Sequence, residues 1–229
     1  TYKQPTADWV DLGFDDTGSA GVQVLDRIAV GVLRDPERDD LFESSYPILE
    51  LAARVFDQLD EEARADLEVG LIDGAADAAT LAAYDAVVLD GGRSLDAGLA
   101  TALRTYVDAG GALVLAAGES VDAVTWNREL AAVRLLPAGI GALNVVELGE
   151  EGAASPRRDL ERSAFRNFAT VEDGDLSQLR FHSWFDLEEP VPEAEVLVDL
   201  GTGEPLMVQR DHGLGSVTLM AAGLDGNNN

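Results

Sequence analysis

The 229-residue sequence predicts an α/β domain, a mostly parallel sheet covered by helices on both faces and finished by an antiparallel C-terminal hairpin. Three observations predict it. The first half alternates short apolar runs with amphipathic stretches in the order β-α-β-α-β-α-β, which sets parallel strands between helices. Two of those runs, 86–89 and 112–117, are continuously apolar, as strands covered on both faces must be. Near the C-terminus the runs 206–210 and 216–221 flank Asp211-His212-Gly213-Leu214-Gly215, which reads as a five-residue hairpin loop.

Residues 1–27 are polar, with scattered Trp9, Val10, Leu12, Phe14, Val22 and Val24, and they carry the turn signal Asp15-Asp16-Thr17-Gly18-Ser19. They read as an N-terminal extension, and 28–229 as the α/β domain. The first strand, 28–33, stops at Arg34-Asp35-Pro36 because proline cannot donate to a sheet ladder. Ser44 or Ser45 can cap a helix to about Leu59, with Ile48, Leu49, Leu51, Ala52, Val55, Phe56 and Leu59 on one apolar face. A second strand, 67–72, closes at Asp73-Gly74, and a short helix spans 78–83. After the strand 86–89 comes a helix over 95–107, with Leu95, Leu99, Leu103, Tyr106 and Val107 inward. Gly110 and Gly111 end it, since glycine takes the left-handed cap conformation without a steric cost. Strand 112–117 follows, then a helix over 126–133 and a strand over 142–148. The stretch 149–170 is charged and loop-like, with one helical turn near 163–168. Three strands, 196–200, 206–210 and 216–221, complete the pattern.

The charge balance is extreme. Forty-three acidic residues face 16 basic ones, the net charge is −27, and Lys3 is the one lysine. Such a charge repels itself in dilute buffer, whereas at molar salt the Debye length falls to about 3 Å and screens the repulsion. Adaptation to high salt is the expectation. Lowering salt from molar to millimolar should lower the melting temperature, and an unchanged midpoint would count against the idea. No basic face exists for a nucleic-acid partner. The absence of cysteine removes disulfides and thiolate chemistry together. No apolar run approaches the roughly 20 residues that span a bilayer, and no signal peptide is visible. The chain opens at Thr1 and stops at Gly226-Asn227-Asn228-Asn229, so it reads as a soluble piece of a longer protein. A membrane would be reached only through segments outside it.

In open α/β sheets ligands bind beyond the carboxyl ends of the strands. Those ends carry Asp35, Asp90, Gly91 and Gly92, and Gly118, Glu119 and Ser120, which are the candidate ligand-binding residues. Glycines there let backbone N–H groups approach an oxyanion, although a tight strand-to-helix turn explains Gly91-Gly92 as well. Glu119 and Ser120 are the side chains with useful chemistry at the turn after strand 112–117. A serine nucleophile needs a base within hydrogen-bond reach. Of the two histidines, His212 falls in the hairpin loop and His182 beside Phe181, Trp184 and Phe185. Asp35, Asp90, Glu119 and Asp122 could gather at one edge around a hard cation, but no spacing matches a metal loop, and neither a metal nor a cofactor is expected. Trp126, Leu135, Leu136, Phe165, Phe168 and Trp184 offer either an interaction patch or packing for the second half.

Several weak motifs carry a resemblance. They are Tyr84-Asp85-Ala86-Val87-Val88-Leu89, Tyr106-Val107-Asp108-Ala109-Gly110-Gly111-Ala112-Leu113-Val114, Leu135-Leu136-Pro137-Ala138-Gly139-Ile140-Gly141, and Glu204-Pro205-Leu206-Met207-Val208-Gln209-Arg210 followed by Gly213-Leu214-Gly215-Ser216-Val217. Together, over roughly 28–225, they resemble the class I glutamine amidotransferase-like domain of bacterial aerotolerance (Bat)-type membrane proteins, which also carry a von Willebrand factor A domain. The resemblance implies a three-layer, flavodoxin-like sheet. It implies a parent anchored in the cell envelope with this domain outside the cytoplasm, and it makes residues 1–27 the end of a preceding β-rich linker domain. The implied partners are other domains of the parent, such as the von Willebrand factor A domain, or envelope proteins. Active amidotransferases place a cysteine at the turn where this chain has Gly118-Glu119, and no His-x-Glu pair stands downstream. The resemblance therefore implies a non-catalytic binding or scaffolding domain. The competing class is a hydrolase or carbohydrate-active enzyme using Glu119 or Ser120.

Overall fold

The computed structural model describes residues 27–34, 45–56, 66–72, 76–91, 94–146, 156–157 and 180–224. Asp35, Gly92, Phe165, Phe168, the extension 1–26 and the helical turn expected at 163–168 lie outside them. The described elements run β1 (Arg27–Leu33), α1 (Tyr46–Phe56), β2 (Asp66–Ile72), α2 (Ala78–Leu81), β3 (Ala86–Asp90), α3 (Ala97–Asp108), β4 (Ala112–Ala116), α4 (Ala123–Ala132), β5 (Ile140–Val145), β6 (Pro156–Arg157), β7 (Ser183–Leu187), β8 (Ala194–Leu200), β9 (Pro205–His212) and β10 (Gly215–Met220).

Eight strands form one sheet in the order β2-β1-β3-β4-β10-β9-β8-β6. The first five are parallel neighbours, and β10, β9, β8 and β6 pair antiparallel. The fold is thus mixed α/β with a mostly parallel half and an antiparallel extension. The parallel half has the strand order 2-1-3-4-5, with β10 as its fifth strand. A separate two-stranded antiparallel sheet joins β5 to β7. The main core runs between strands and helices through Leu33, Val87, Leu89, Leu103, Leu113, Leu115, Trp126, Leu130, Val208 and Leu219. A second cluster, containing Phe181, Trp184, Leu200, Leu206 and Met220, seals the β7–β10 side.

Local chemistry explains the element ends. Asp77, Asp96 and Asp122 cap α2, α3 and α4, each carboxylate accepting a backbone N–H of the first turn. α3 ends in a Schellman motif, with Gly111 N–H donating to the Tyr106 carbonyl and Gly110 N–H to that of Val107. Gly110 holds φ +111°, which only glycine adopts readily. Gly31 and Gly70 sit side by side in the β1–β2 register. A Cβ on Gly31 would fall 2.8 Å from the Tyr84 ring, so the paired glycines form the seat on which that ring rests.

The structure corrects four expectations. The hairpin loop is two residues long, since His212 pairs with Gly215 and only Gly213 and Leu214 turn the chain. Gly213 has φ +59°, as the first position of such a tight turn requires. The aromatic run around Trp184 includes a strand, β7, which pattern reading left unassigned. The apolar face expected on α1 is only partly covered, with Ile48 38% and Leu51 63% exposed. The helix leans on β2, an edge strand that offers one strand's width of cover. Ser45, finally, precedes α1 but does not cap it with its hydroxyl, which is engaged elsewhere. Among the described residues no helix is long and apolar enough to cross a membrane.

Candidate functional site

At the carboxyl edge, the described ends of β3 and β4 are held by local contacts. Asp90, at the end of β3, is 8% exposed. Its carboxylate accepts hydrogen bonds from Ser45 N–H at 2.6 Å and Ser45 Oγ at 3.1 Å, which ties the start of α1 to the sheet. Gly91 packs under the β4–α4 turn, where a Cβ would fall 2.7 Å from Val121 Cγ2 and 3.1 Å from Gly118 N. Gly118 N–H, the donor an oxyanion would need, donates instead to the Ala116 carbonyl, and the Gly118 carbonyl accepts from Val121 N–H. Glu119 and Ser120 are exposed on this turn. Among the described residues neither makes a hydrogen bond or ion pair with a histidine. Asp122 turns to its own helix, where the Thr125 hydroxyl and amide hold its carboxyl below the usual range. No group of three or more Asp, Glu or His side chains converges as metal ligands among the described residues.

His212 belongs to β9, at the opposite edge, with its side chain 11% exposed and Nε2 3.3 Å from Asp108 Oδ1. Burial lowers its pKa below 6.5. Asp108 opposes that shift, while the positive charges of Arg210, Arg104 and Arg134 add to it. A histidine whose folded pKa is depressed contributes stability that is present above the unfolded pKa and lost as pH falls through the folded one. The fold should therefore weaken as pH drops below about 6.5, and His212→Gln should flatten that part of the curve. Melting curves from pH 7.5 to 5.5 test this, and parallel curves for the two proteins would sink it.

A cleft of about 640 Å³ lies away from the carboxyl edge. Asn127 and Ala131 of α4, the α4–β5 segment (Arg134, Leu136, Ala138, Gly139), the β7–β8 loop (Glu188, Val191, Pro192, Glu193) and Arg210 of β9 line it. Its walls are stitched together. Asn127 exchanges two hydrogen bonds with the Ile140 backbone, at 2.7 and 2.9 Å. Glu188 N–H donates to the Gly139 carbonyl and Val191 N–H to that of Pro137. The Glu188 carboxylate occupies the space a side chain at Gly139 would fill.

Sequence reasoning missed both arginines of this cleft. Arg210 shares the strand parity of buried Leu206 and Val208, and its Nε is buried with no hydrogen-bond partner. A charge in the inward parity of a strand was the available signal. Arg134 ends α4 in a second Schellman motif. Leu135 N–H donates to the Leu130 carbonyl and Arg134 N–H to that of Ala131, but the left-handed position, φ 59°, is held by arginine. Two smaller clefts, about 430 and 500 Å³, follow the α2–α3 seam and are lined largely by small residues. Trp126, Leu135, Leu136 and Trp184 are buried, so these four are packing residues.

No protein-family model matches the sequence. A comparison with curated proteins found no match. Solved structures do resemble the fold. A cytoplasmic protein of Salmonella typhimurium LT2 is similar with TM-score 0.58 and 13% identity, over 87% of this chain and 89% of that one. A ThuA-like protein of Bacteroides uniformis gives 0.55 and 11%, over 88% and 84%. A polyextremophilic β-galactosidase of the Antarctic haloarchaeon Halorubrum lacusprofundi gives 0.50 and 17%, over 84% of this chain but 27% of the enzyme. At such identities the likeness is one of fold.

Proposed function

We propose that this chain is a non-catalytic binding domain, built as a three-layer, flavodoxin-like and amidotransferase-like sheet. In this reading it belongs to a membrane-anchored cell-envelope protein of the Bat type from a high-salt organism, and it works on other domains of its parent, such as a von Willebrand factor A domain, or on envelope proteins. One observation carries the non-catalytic part. The β4–α4 turn, where a nucleophile and its oxyanion donor would sit, bonds to itself through Gly118 and leaves Glu119 and Ser120 exposed without a histidine partner. A nucleophile without a base has little reactivity. The strand order and the ThuA-like likeness support the fold name.

The alternative, a hydrolase or carbohydrate-active enzyme using Glu119 or Ser120, makes an opposite prediction. Nitrophenyl esters and glycosides should be turned over no faster by the wild type than by Glu119→Gln or Ser120→Ala. A turnover that either substitution removes would overturn the proposal. Fractionating cells that produce the full-length parent tests the anchor, because recovery in the soluble cytoplasmic fraction would dispose of it.

A further inference from the structure

Eight arginines have described side chains: Arg27, Arg34, Arg54, Arg104, Arg128, Arg134, Arg180 and Arg210. In a chain with 43 carboxylates each should find an anion nearby. Arg27, Arg54, Arg104 and Arg128 are ion-paired, and Arg34 and Arg180 also have partners. Arg134 and Arg210 have no carboxylate of a described residue within ion-pairing reach, and both line the same cleft. Their positions are costly ones. Arg210 has a buried, unpartnered Nε, and an unmade hydrogen bond to a buried polar group is unfavourable. Arg134 occupies the left-handed position that the matching motif of α3 gives to Gly110, a strain that marks sites where the side chain is used. Glu188 and Glu193 line the same cleft, together with the apolar Leu136, Ala138 and Val191.

We propose that this cleft binds a small organic anion, with its carboxylate or phosphate group held by the guanidinium groups of Arg134 and Arg210, and its hydroxyl or ammonium donors accepted by Glu188 and Glu193. Guanidinium groups match planar or tetrahedral oxyanions through paired N–H donors. The volume, about 640 Å³, lies within the range of small-molecule sites. The proposal deepens the reading of the chain as a binding domain and rests on it.

Calorimetric titration of the chain at constant ionic strength tests it, with inorganic phosphate, glucuronate and uncharged glucose as probes. Phosphate or glucuronate should bind and glucose should not. If phosphate is tighter the natural group is a phosphate; if glucuronate is tighter it is a carboxylate on a hydroxyl-bearing frame. Arg210→Gln and Arg134→Gly should each weaken binding about tenfold or more. Arg134→Gly should leave the melting temperature unchanged or higher, since glycine suits that turn, so lost binding there is not lost folding. Binding that survives in the double variant, equal binding of glucose, or no binding of either anion at tens of millimolar would each overturn the proposal. None of those outcomes bears on turnover at Glu119 and Ser120, which decides the non-catalytic reading separately.

Discussion

Asp90→Ala is expected to destabilise the fold by about 3 kcal/mol, because two hydrogen bonds to a charged acceptor are lost and a buried donor is left unsatisfied. Ser45 is wholly buried, so its N–H, now 2.6 Å from the Asp90 carboxylate, has no water to turn to. In a domain of this size the loss corresponds to a fall of about 6 to 12 °C in melting temperature. Ser45→Ala removes only the longer hydroxyl bond of 3.1 Å and should cost about 1 kcal/mol. Asp90→Asn, which keeps an acceptor oxygen and loses the charge, should fall between. Glu119→Ala and Ser120→Ala, on the exposed turn beside it, should stay within about 0.5 kcal/mol of wild type. Thermal and guanidinium melts of the five variants rank them. If Asp90→Ala melts with wild type, the residue is not the tether described, and its carboxylate would again be available to a ligand.

Trp126→Ala is expected to cost more, about 4 kcal/mol, the range for emptying a large aromatic from a packed core. Trp126 is 1% exposed and packs in the main cluster. That cost is a large share of the 5 to 15 kcal/mol by which domains are stable. The substitution also loosens α4, whose end carries Arg134, so anion binding in the cleft should weaken with it. Val124→Ala, two residues away on the same helix but 73% exposed, should change neither. Urea denaturation gives the comparison; a loss under about 1 kcal/mol would mean that α4 is held by something other than its tryptophan.

The strands β1, β2, β3, β4, β8, β9 and β10 were legible to within one or two residues, because each carries a short run rich in apolar residues. The end of α3 was legible because two glycines punctuate it. The end of α4 was also read to within one residue, 133 against Ala132, but its start was set three residues late, at 126 against Ala123, because Trp126 is the first buried residue of its face. β7 was hidden. Its residues Ser183, Trp184 and Phe185 are all buried, so no alternation shows, and an aromatic cluster reads equally as loop packing. At the carboxyl edge, Asp90 and Gly91 could be placed from sequence. That Asp90 is engaged by Ser45 could not, since the partner lies 45 positions away across a crossover.

By itself, the sequence determined the alternation of strand and helix, the acidic charge, the lack of a thiol and therefore the kind of sheet. These are local or compositional properties, fixed by side-chain type and period. Only the tertiary structure decided that β10 completes the parallel half beside β4 and that β9 and β8 extend it antiparallel. It alone brought Arg134, at a helix end, and Arg210, on a distant strand, to one cleft that Glu188 and Glu193 also line. Which strands become neighbours is settled by packing summed over the whole core, and no single segment carries that information.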